Sequence, residues 1–537
     1  MISRRALMAS AALAPLVGQS AGAAGLTGPL DTSRRRQLVF ERRRDAFKTA
    51  TYREPLRIAT NGDEDRYPDR RASFAKTMPH DDLGEVNPDA YHAWLAILTS
   101  GDSAKFEQAP RDPLAVERLN NPQAAYAIDL VGPDPAALGI ARPPAFASIG
   151  MAAEMAELYW GALVRDVPFR EWESDPLVRA AGADLGSFGV PEINAANLFR
   201  GETAGEGRGP LISQFLWHDI PYGVMTVSQR WNAPSRGQAF MTTFADWLAS
   251  QRGAKPVAKL RLDSTPRYIA SYRELVEYVH RDFSFQPFLN AALIAMRMGG
   301  DRGDAMWSAT NPYHQSRAQF GDITLGSKNL LSLLAQAALL AQKAAYFYKW
   351  QVHRRVRPEV VAARIDVALS GRKSYDLHRA IFDCDGLART KAAFGSWLLP
   401  QAYPEGCPTH PSYPAAHAVN AGACAAVLKA FLNEQAIVPM PVQAVADGTA
   451  LEPWRGEPLT LGGEIDKLAA NIALGRDAAG VHFRSDSIEG LKLGEAVAIG
   501  LLADTSRTYN ERFDGFVFTR LDGKRVQISN GSVRMLS

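Results

Sequence analysis

A long segment of helical apolar periodicity in the C-terminal half constrains the fold more than any other feature of the sequence. Apolar residues recur at helical spacing in KNLLSLLAQAALLAQKAAYFYKWQVHRRV, which follows Ser327. We expect Ser327 to cap this helix and Pro358 to end it near Arg357, because proline disfavours helical backbone at the residue before it. A helix of this length predicts a core built from helices.

Further helices are predicted in the same half. One should begin after Pro414 and run through AAHAVNAGACAAVLKAFL, a second should span roughly 464–475, and a third should begin near residues 485–486 and run through IEGLKLGEAVAIGLLA. The tail FVFTRLDGKRVQIS alternates around residues 522–523, which predicts a hairpin. The sequence therefore predicts a mainly α fold with one small β appendage.

The N-terminal half is less regular. Residues 24–110 are rich in loop-forming residues and are expected to wrap over the core, and 185–235 is rich in Gly and Pro. Segments 147–165 and 237–252 show helical spacing of apolar residues. We therefore divide the mature chain into an N-terminal helical and loop-rich half, 24–300, and a helical half with the C-terminal hairpin, 301–537.

The first residues indicate export. Arg4 and Arg5 precede an Ala/Leu-rich stretch, and the small residues 21–23 offer a cleavage site, so 1–23 is predicted to be a signal peptide. The paired arginines are typical of twin-arginine signals, and an ordinary N-terminal helix is the alternative. No other stretch has the ~18 uninterrupted apolar residues of a membrane span. We expect a periplasmic or secreted protein that is not held in a membrane.

Composition excludes several classes of partner and site. Removing Arg4 and Arg5 lowers the formal net charge from +3 to about +1, which argues against nucleic acid as a general partner. One basic run, SRRRQLVFERRRDAF, is expected to be a solvated helix face or a subunit contact. No CxxC or HExxH motif is present. The acidic pair Asp383 and Asp385 favours a solvated turn over a calcium site, because only two carboxylates are at hand.

The cysteines are too few for a disulfide scaffold. Cys384, Cys407 and Cys424 would allow one bridge in an exported protein, with one thiol left over, and the sequence leaves the pairing open.

Five basic side chains near the C-terminus carry the chemical signal. They are spread over more than a hundred residues, and each lies beside a helix boundary among apolar residues: Lys349, Arg357, His417, Arg476 and His482. Such a set is expected to converge in one partly buried pocket. Three fixed cations and two imidazoles suit a compact, multiply charged oxyanion of the phosphate or vanadate type.

The local positions fit this chemistry. Arg357, held extended by Pro358, can fork onto two oxygens. His417 falls in the first turn of a helix, whose free backbone N–H groups favour an anion. Asp486 follows His482 by four residues, and a carboxylate there can hold the imidazole tautomer and raise its basicity.

The blocks KWQVHRRVRP, PSYPAAH and GRDAAGVHFRSD together resemble the signature of vanadium-dependent haloperoxidases, which share a fold with the type-2 phosphatidic acid phosphatase superfamily. The resemblance is closer to the algal and bacterial bromoperoxidase branch, in which a second histidine precedes the central one by seven positions, as His410 does here. The segments NGDEDRYPDRRASFAKTMPHDDLGEV and FRGETAGEGRGPLISQFLW also resemble that branch. The resemblance implies a helical-bundle haloperoxidase fold.

The resemblance implies a vanadate cofactor (V5+), with His482 as the axial vanadium ligand. The implied cofactor-binding positions are Lys349, Arg357, Ala415, Ala416, Arg476 and His482. His417 would be the acid–base group, His410 would tune the proton network or halide access, and Lys349 would polarise the peroxide. No haem is implied. The implied partners are hydrogen peroxide, bromide or iodide, a small organic acceptor and further copies of the chain in a homo-oligomer.

The chain departs from the family pattern at one place. Where the family has Ser-Gly before the central histidine, this chain has Ala415 and Ala416. Ala415 removes a hydroxyl whose hydrogen bond to a charged partner is worth ~1.5–3 kcal/mol. Ala416 adds a methyl where the backbone would approach the anion. The departure favours weaker vanadate binding, or a different reaction.

Three functions are therefore compatible with the sequence. The first is a haloperoxidase that oxidises bromide or iodide. The second is a phosphatase of the same fold, with His482 as nucleophile and His417 as acid for the leaving group. The third is a repurposed oxyanion binder without halogenating activity, left by the loss of Ser-Gly at Ala415 and Ala416.

Overall fold

The computed structural model describes residues 31–51, 56, 58–194, 197–203, 205–299, 306–314 and 316–536. The predicted signal peptide, 1–23, lies outside the described residues. The chain divides into two units, one up to Tyr52 and one from Arg53 onward. In the first unit, helix α1 (Thr32–Thr51) contains the basic run, and most of its described side chains are exposed. This agrees with a solvated helix face, and its use as a subunit contact stays a prediction, as does the division of the chain near residue 300.

The second unit consists of helices joined by long connections. Its α-helices are α2 (Asp63–Arg66), α3 (Pro88–Ser100), α4 (Ile149–Leu163), α5 (Pro176–Gly186), α6 (Phe244–Gln251), α7 (Tyr272–Arg281), α8 (Gln286–Met298), α9 (Ser327–Tyr346), α10 (Pro358–Leu369), α11 (Asp385–Phe394), α12 (Ala416–Phe431), α13 (Leu461–Ala478) and α14 (Arg484–Ser506). Short 3-10 turns span Ser103–Gln108, Pro122–Tyr126, Pro135–Ala137, Phe169–Glu171, Gln214–Leu216 and Arg379–Asp383. The mainly α prediction is confirmed.

The strands form small antiparallel sheets. They are β1 (Ile220–Tyr222), β2 (Met225–Val227), β3 (Val442–Ala444), β4 (Leu451–Pro453), β5 (Phe516–Thr519), β6 (Arg525–Ser529) and β7 (Ser532–Leu536). β1 pairs with β2, β3 with β4, and the last three form a sheet in the order β5-β6-β7.

The C-terminal sheet confirms the predicted hairpin and extends it. Thr519 pairs with Arg525 across the turn that contains residues 522–523. The third strand, β7, was not predicted. Its turn is Asn530-Gly531, both with positive φ (46° and 80°), and Ser529 pairs with Ser532 around it. Asn-Gly is a strong signal for a two-residue hairpin loop, so the sequence did contain the information.

The long apolar helix differs from its prediction at both ends. Gly326, not Ser327, occupies the N-cap position, and Ser327 is the first helical residue. The α-helix ends at Tyr346 and continues as a π-helix, Phe347–His353. A new helix, α10, starts at Pro358 with Arg357 as its extended N-cap residue (φ −89°, ψ 154°), as the effect of proline on the preceding residue predicts.

By length and composition alone, the helical stretch Ser327–His353 is one that could cross a membrane; 56% of its most apolar window is buried inside the protein, as in a core helix.

Helices α12 and α14 touch through their backbones. A Cβ atom built on Gly494 would lie 1.9 Å from the carbonyl oxygen of Val419, and one on Gly422 would lie 2.0 Å from that of Leu491. Only glycine permits such an approach. At the N-terminal end of this contact, the Ala415 N–H donates to the Asp486 carbonyl at 2.9 Å. The N-termini of α12 and α14 therefore lie side by side, in the region of the predicted pocket.

Other local predictions had mixed outcomes. Segment 147–165 contains α4, whereas only the second part of 237–252 is helical, because Thr243 caps α6 there.

The three cysteines are buried with free thiols. In the described parts of the chain, no group of three or more His, Cys, Asp or Glu side chains is placed to hold a metal ion. Asp385 forms an exposed ion pair with Arg389 (2.7 Å).

Candidate active site

The five predicted basic residues lie where helices of the C-terminal half begin or end, and the charges of the other four all act on His482. Lys349 lies in the π-helix after α9, Arg357 is the N-cap residue of α10, and His417 is in the first turn of α12. Arg476 lies in the last turn of α13, and His482 lies in the short link between α13 and α14. All except His417 are almost fully buried.

Lys349 is held by backbone carbonyls. Its Nζ donates to the carbonyl oxygens of Pro411 (2.7 Å) and Ser412 (2.8 Å). Burial, with the neighbouring cations Arg357 and Arg476, holds the pKa of Lys349 well below its usual 10.5, and Asp486 only partly offsets this. An anion that enters the pocket would therefore favour the charged form of Lys349.

Arg357 joins the two histidines. Its Nε donates to the His410 carbonyl (2.9 Å) and its Nη2 to His410 Nδ1 (2.9 Å). Its Nη1 donates to the Val481 carbonyl (2.6 Å) and to His482 Nε2 (3.0 Å). A guanidinium can only donate, so His482 Nε2 acts as an acceptor and carries no proton, whereas His410 Nδ1 also lies 3.1 Å from the Pro411 carbonyl oxygen.

His482 has a defined tautomer as a result. Its Nδ1–H donates to Asp486 Oδ2 at 2.9 Å, while Nε2 keeps its lone pair. Burial first, and then the charges of Arg357, Lys349, Arg476 and His417, lower the pKa of His482 well below its usual 6.5. The ring is therefore a neutral imidazole with one nitrogen available as a ligand.

Asp486 is anchored from several directions. Oδ2 also accepts from the Phe483 N–H (3.1 Å) and from the Ser412 hydroxyl, while Oδ1 accepts from Arg355 Nη1 at 2.7 Å. The sequence analysis assigned Asp486 the task of holding His482, and the structure places it at hydrogen-bonding distance. Arg355 was not predicted from the sequence, although it lies only two positions before Arg357.

Arg476 keeps part of its hydrogen-bonding capacity unused. Its Nη1 donates to the Val279 carbonyl (2.8 Å) and to the Tyr403 hydroxyl (3.2 Å). Its Nε is buried and has no hydrogen-bond partner among the residues that the structure describes. A buried donor without a partner costs about 1–3 kcal/mol, which an oxyanion in the pocket would recover.

His417 lies at the more open side of the pocket. Its side chain is 27% exposed, and its Nε2 lies 3.0 Å from Oδ1 of Asp282, which is 1% exposed. Asp282 follows the last residue of α7 and was missed by the sequence analysis, because nothing local marks it as a partner of a residue far along the chain.

The Ala415-Ala416 pair forms the start of α12. Ala415 occupies the N-cap position without a side-chain cap, and both alanines are buried. The first bond of this helix runs from the Val419 N–H to the Ala415 carbonyl, so the N–H groups of the preceding residues have no partner within the helix. These donors supply the positive end of the helix to the pocket.

The charge of the site is unbalanced. In the described residues, none of Lys349, Arg357 and Arg476 lies within 4.0 Å of a carboxylate oxygen. Buried cations without a counter-charge are costly. Their carbonyl and imidazole neighbours do not neutralise them, so the donor set fits a compact oxyanion such as vanadate or phosphate.

Comparison with known proteins identifies the family. Residues 330–511, which contain all five basic residues, match the model of the VCPO second helical-bundle domain. A vanadium-dependent bromoperoxidase of Ascophyllum nodosum is 35% identical, over 86% of this chain and 87% of that protein. The chain belongs to the vanadium-dependent bromoperoxidase family. One from Corallina pilulifera is 31% identical, over 92% of this chain and 98% of that protein.

The structural comparison confirms the helical-bundle haloperoxidase fold. The second vanadate-dependent bromoperoxidase of Ascophyllum nodosum, described as homohexameric, has a TM-score of 0.89 to this chain at 27% identity. The match covers 97% of this chain and 95% of that chain. The bromoperoxidase resemblance found in the sequence thus extends over the fold as a whole.

Proposed function

We propose that this protein is a vanadium-dependent haloperoxidase that oxidises bromide or iodide with hydrogen peroxide to the hypohalous acid. The observation that carries the proposal is the buried cluster of Lys349, Arg357 and Arg476 near His482, whose unprotonated Nε2 accepts a hydrogen bond from Arg357. The named relatives are vanadium-dependent bromoperoxidases, which supports vanadate as the anion. When bound, vanadate supplies Lewis-acid chemistry that polarises peroxide toward attack by the halide.

The residues of this chain would share the binding of vanadate. His482 Nε2 would hold the metal, because its Nδ1–H is already committed to Asp486. Lys349, Arg357 and Arg476 would neutralise the oxygens, and the Ala416 N–H would add a donor at the start of α12.

Proton transfer would fall to His417. The overall reaction consumes one proton: halide, hydrogen peroxide and H⁺ give hypohalous acid and water. His417 Nε2 is engaged with Asp282, which leaves Nδ1 to exchange a proton with the reacting oxygens. His410 would act on the same proton network through Arg357, whose guanidinium contacts both His410 and His482.

The test is bromination of an organic dye by the purified protein with peroxide and bromide, before and after adding orthovanadate. Activity that appears only with vanadate is expected, and it would show that Ala415-Ala416 is tolerated. Silence with bromide and iodide despite bound vanadium would contradict the proposal. A parallel assay with a phosphate monoester would reveal a phosphatase, a function that none of the comparisons favours.

Three further properties belong to the same proposal. A homo-oligomer is supported by the homohexameric description of the similar structure. Export to the periplasm or medium is supported by the sequence of residues 1–23. A small organic acceptor would take the halogen from hypohalous acid. Size-exclusion chromatography with light scattering and N-terminal sequencing of the secreted protein test the first two.

A further inference from the structure

Arg355 connects two buried carboxylates behind the pocket. Its Nη1 donates to Asp486 Oδ1 (2.7 Å) and to the Ser485 hydroxyl (2.8 Å), and its Nη2 donates to Glu154 Oε2 (2.9 Å). Arg355 is 4% exposed, Glu154 4% and Asp486 0%. The guanidinium also lies over the ring of Phe483, 4.1 Å from its centroid. These contacts leave the guanidinium one defined orientation.

The same arginine also acts through its backbone. Its carbonyl accepts from the Ser412 N–H at 3.0 Å. The Ser412 hydroxyl donates to Asp486, and the Ser412 carbonyl accepts from Lys349 Nζ. Arg355 therefore supports both the carboxylate behind His482 and the loop that holds Lys349, without touching the oxyanion position itself.

We infer that Arg355, held by Glu154, is a positioning residue that fixes Asp486 and through it the Nδ1–H tautomer of His482. One carboxylate oxygen of Asp486 is taken by Arg355 and the other by His482, so rotation of the carboxylate would break both bonds at once. Groups that orient a metal-binding histidine in this way typically change metal affinity by about 10–100-fold when they are lost. The inference rests on the proposed vanadate site.

The chain contains a matched control. Glu157 lies one turn after Glu154 on α4 and pairs with Arg484, through Nε–Oε2 at 2.9 Å and a second, short contact. This pair is as buried as the first, with Glu157 at 6% and Arg484 at 3% exposure. Within the described part of the chain, the side-chain hydrogen bonds of Arg484 go to Glu157 and to the carbonyls of Arg200 and Asn197, not to Asp486 or His482. Both pairs are buried Arg–Glu ion pairs, but only the pair of Arg355 and Glu154 is hydrogen-bonded to Asp486.

The test compares two double variants. The Arg355 double variant carries Glu154→Gln and Arg355→Gln, and the Arg484 double variant carries Glu157→Gln and Arg484→Gln. Each removes both charges of its pair, and in the first variant Asp486 also loses its arginine partner, which is the contact under test. Vanadate affinity of the metal-free protein is measured by equilibrium dialysis with orthovanadate. The first variant should bind vanadate at least tenfold more weakly than wild type, and the second less than threefold. Equal losses in the two variants, or a change below threefold in the first, would overturn the inference.

A second readout does not depend on vanadate. In protein labelled with ¹⁵N-histidine, the ring nitrogens of His482 report which one carries the proton, with His482→Gln used to assign the signals. Wild type and the Arg484 double variant should show the Nδ1–H tautomer of His482. The Arg355 double variant should show a mixture of its two tautomers. Retention of Nδ1–H in the Arg355 double variant would overturn the inference. Wild type that shows this tautomer but binds no vanadate would instead contradict the proposed function.

Discussion

Oδ1 of Asp282 lies 3.0 Å from Nε2 of His417, although the two residues are 135 positions apart in the sequence. The contact forms only when the end of α7 packs against the start of α12. A second hydrogen bond joins the same two segments, since the Ser284 carbonyl accepts from Nδ2 of Asn420, one turn after His417, at 3.2 Å. The orientation of the proposed proton-transfer group is therefore set by tertiary packing.

Asp282→Asn is expected to slow turnover without releasing the cofactor. The amide keeps the shape of the side chain but can present its NH₂ group to Nε2, which favours the wrong imidazole tautomer. We expect kcat to fall by about two orders of magnitude, in line with the loss of a general acid–base group. Vanadate affinity should stay within threefold of wild type. A variant with full kcat would contradict the assigned role of His417.

His482→Ala should show the opposite pattern. It removes the only ring nitrogen assigned to the metal, and vanadate affinity should fall by about two orders of magnitude or more, about 2.7 kcal/mol. Dialysis against orthovanadate followed by metal analysis measures this. His92→Ala, at an exposed position on α3, is the control and should bind vanadate as wild type does. Halogenation that persists in His482→Ala would rule out His482 as the ligand.

Ala415→Ser should restore a polar contact that this chain lacks. A hydroxyl at this N-cap position can donate to a bound oxyanion, which is worth about 1.5–3 kcal/mol, or a ten- to hundredfold tighter vanadate affinity. Without the anion it can cap α12 and stabilise the protein by about 1 kcal/mol. Ala415→Cys has similar size and a weak donor, and serves as the control when binding is measured without peroxide. Equal affinities for the two variants would show that the hydroxyl does not reach the anion.

Stability should depend on pH through His280. Burial disfavours its charge, but the hydrogen bonds that its ring nitrogens donate to Glu277 (3.0 Å) and Glu405 (2.6 Å) outweigh this and raise the pKa of His280 above its usual 6.5. A group whose pKa is raised by folding stabilises the protein to its full extent when the pH is below the pKa of the unfolded state. The stabilisation is lost as the pH rises through the pKa of the folded state. His280→Gln should therefore lower the urea midpoint more at pH 5.5 than at pH 9. An equal loss at both pH values would contradict this.

Gly494→Ala should disrupt the contact between α12 and α14. The new methyl would meet the Val419 carbonyl at 1.9 Å, and the backbone cannot move away without separating the helices. We expect a loss of about 3 kcal/mol or more in unfolding free energy. Gly186→Ala on α5, where nothing lies within 4 Å of the added carbon, is the control and should be neutral or stabilising by up to about 1 kcal/mol. A fully stable Gly494→Ala protein would contradict the backbone contact.

The features that sequence analysis predicted are those with a local cause. Pro358 forces Arg357 into extended backbone, and Asp486 follows His482 by one helical turn, so both could be placed from spacing alone. Family resemblance supplied the roles that spacing could not. Asp282 and Glu154 escaped notice because their partners are 135 and 201 positions away, and no pattern near either residue marks the contact. The π-helix also escaped, since its sequence continues the apolar periodicity of α9.

The glycine contact between α12 and α14 fixes the spacing of two of the elements that build the active site. His417 belongs to one of these helices, and Asp486, which holds His482, belongs to the other. The spacing between these two elements is fixed by main-chain atoms, which every sequence shares, and not by the bulk of side chains between them. Exchange of a core side chain elsewhere, by drift or by redesign, leaves this direct backbone contact in place as long as Gly422 and Gly494 are retained.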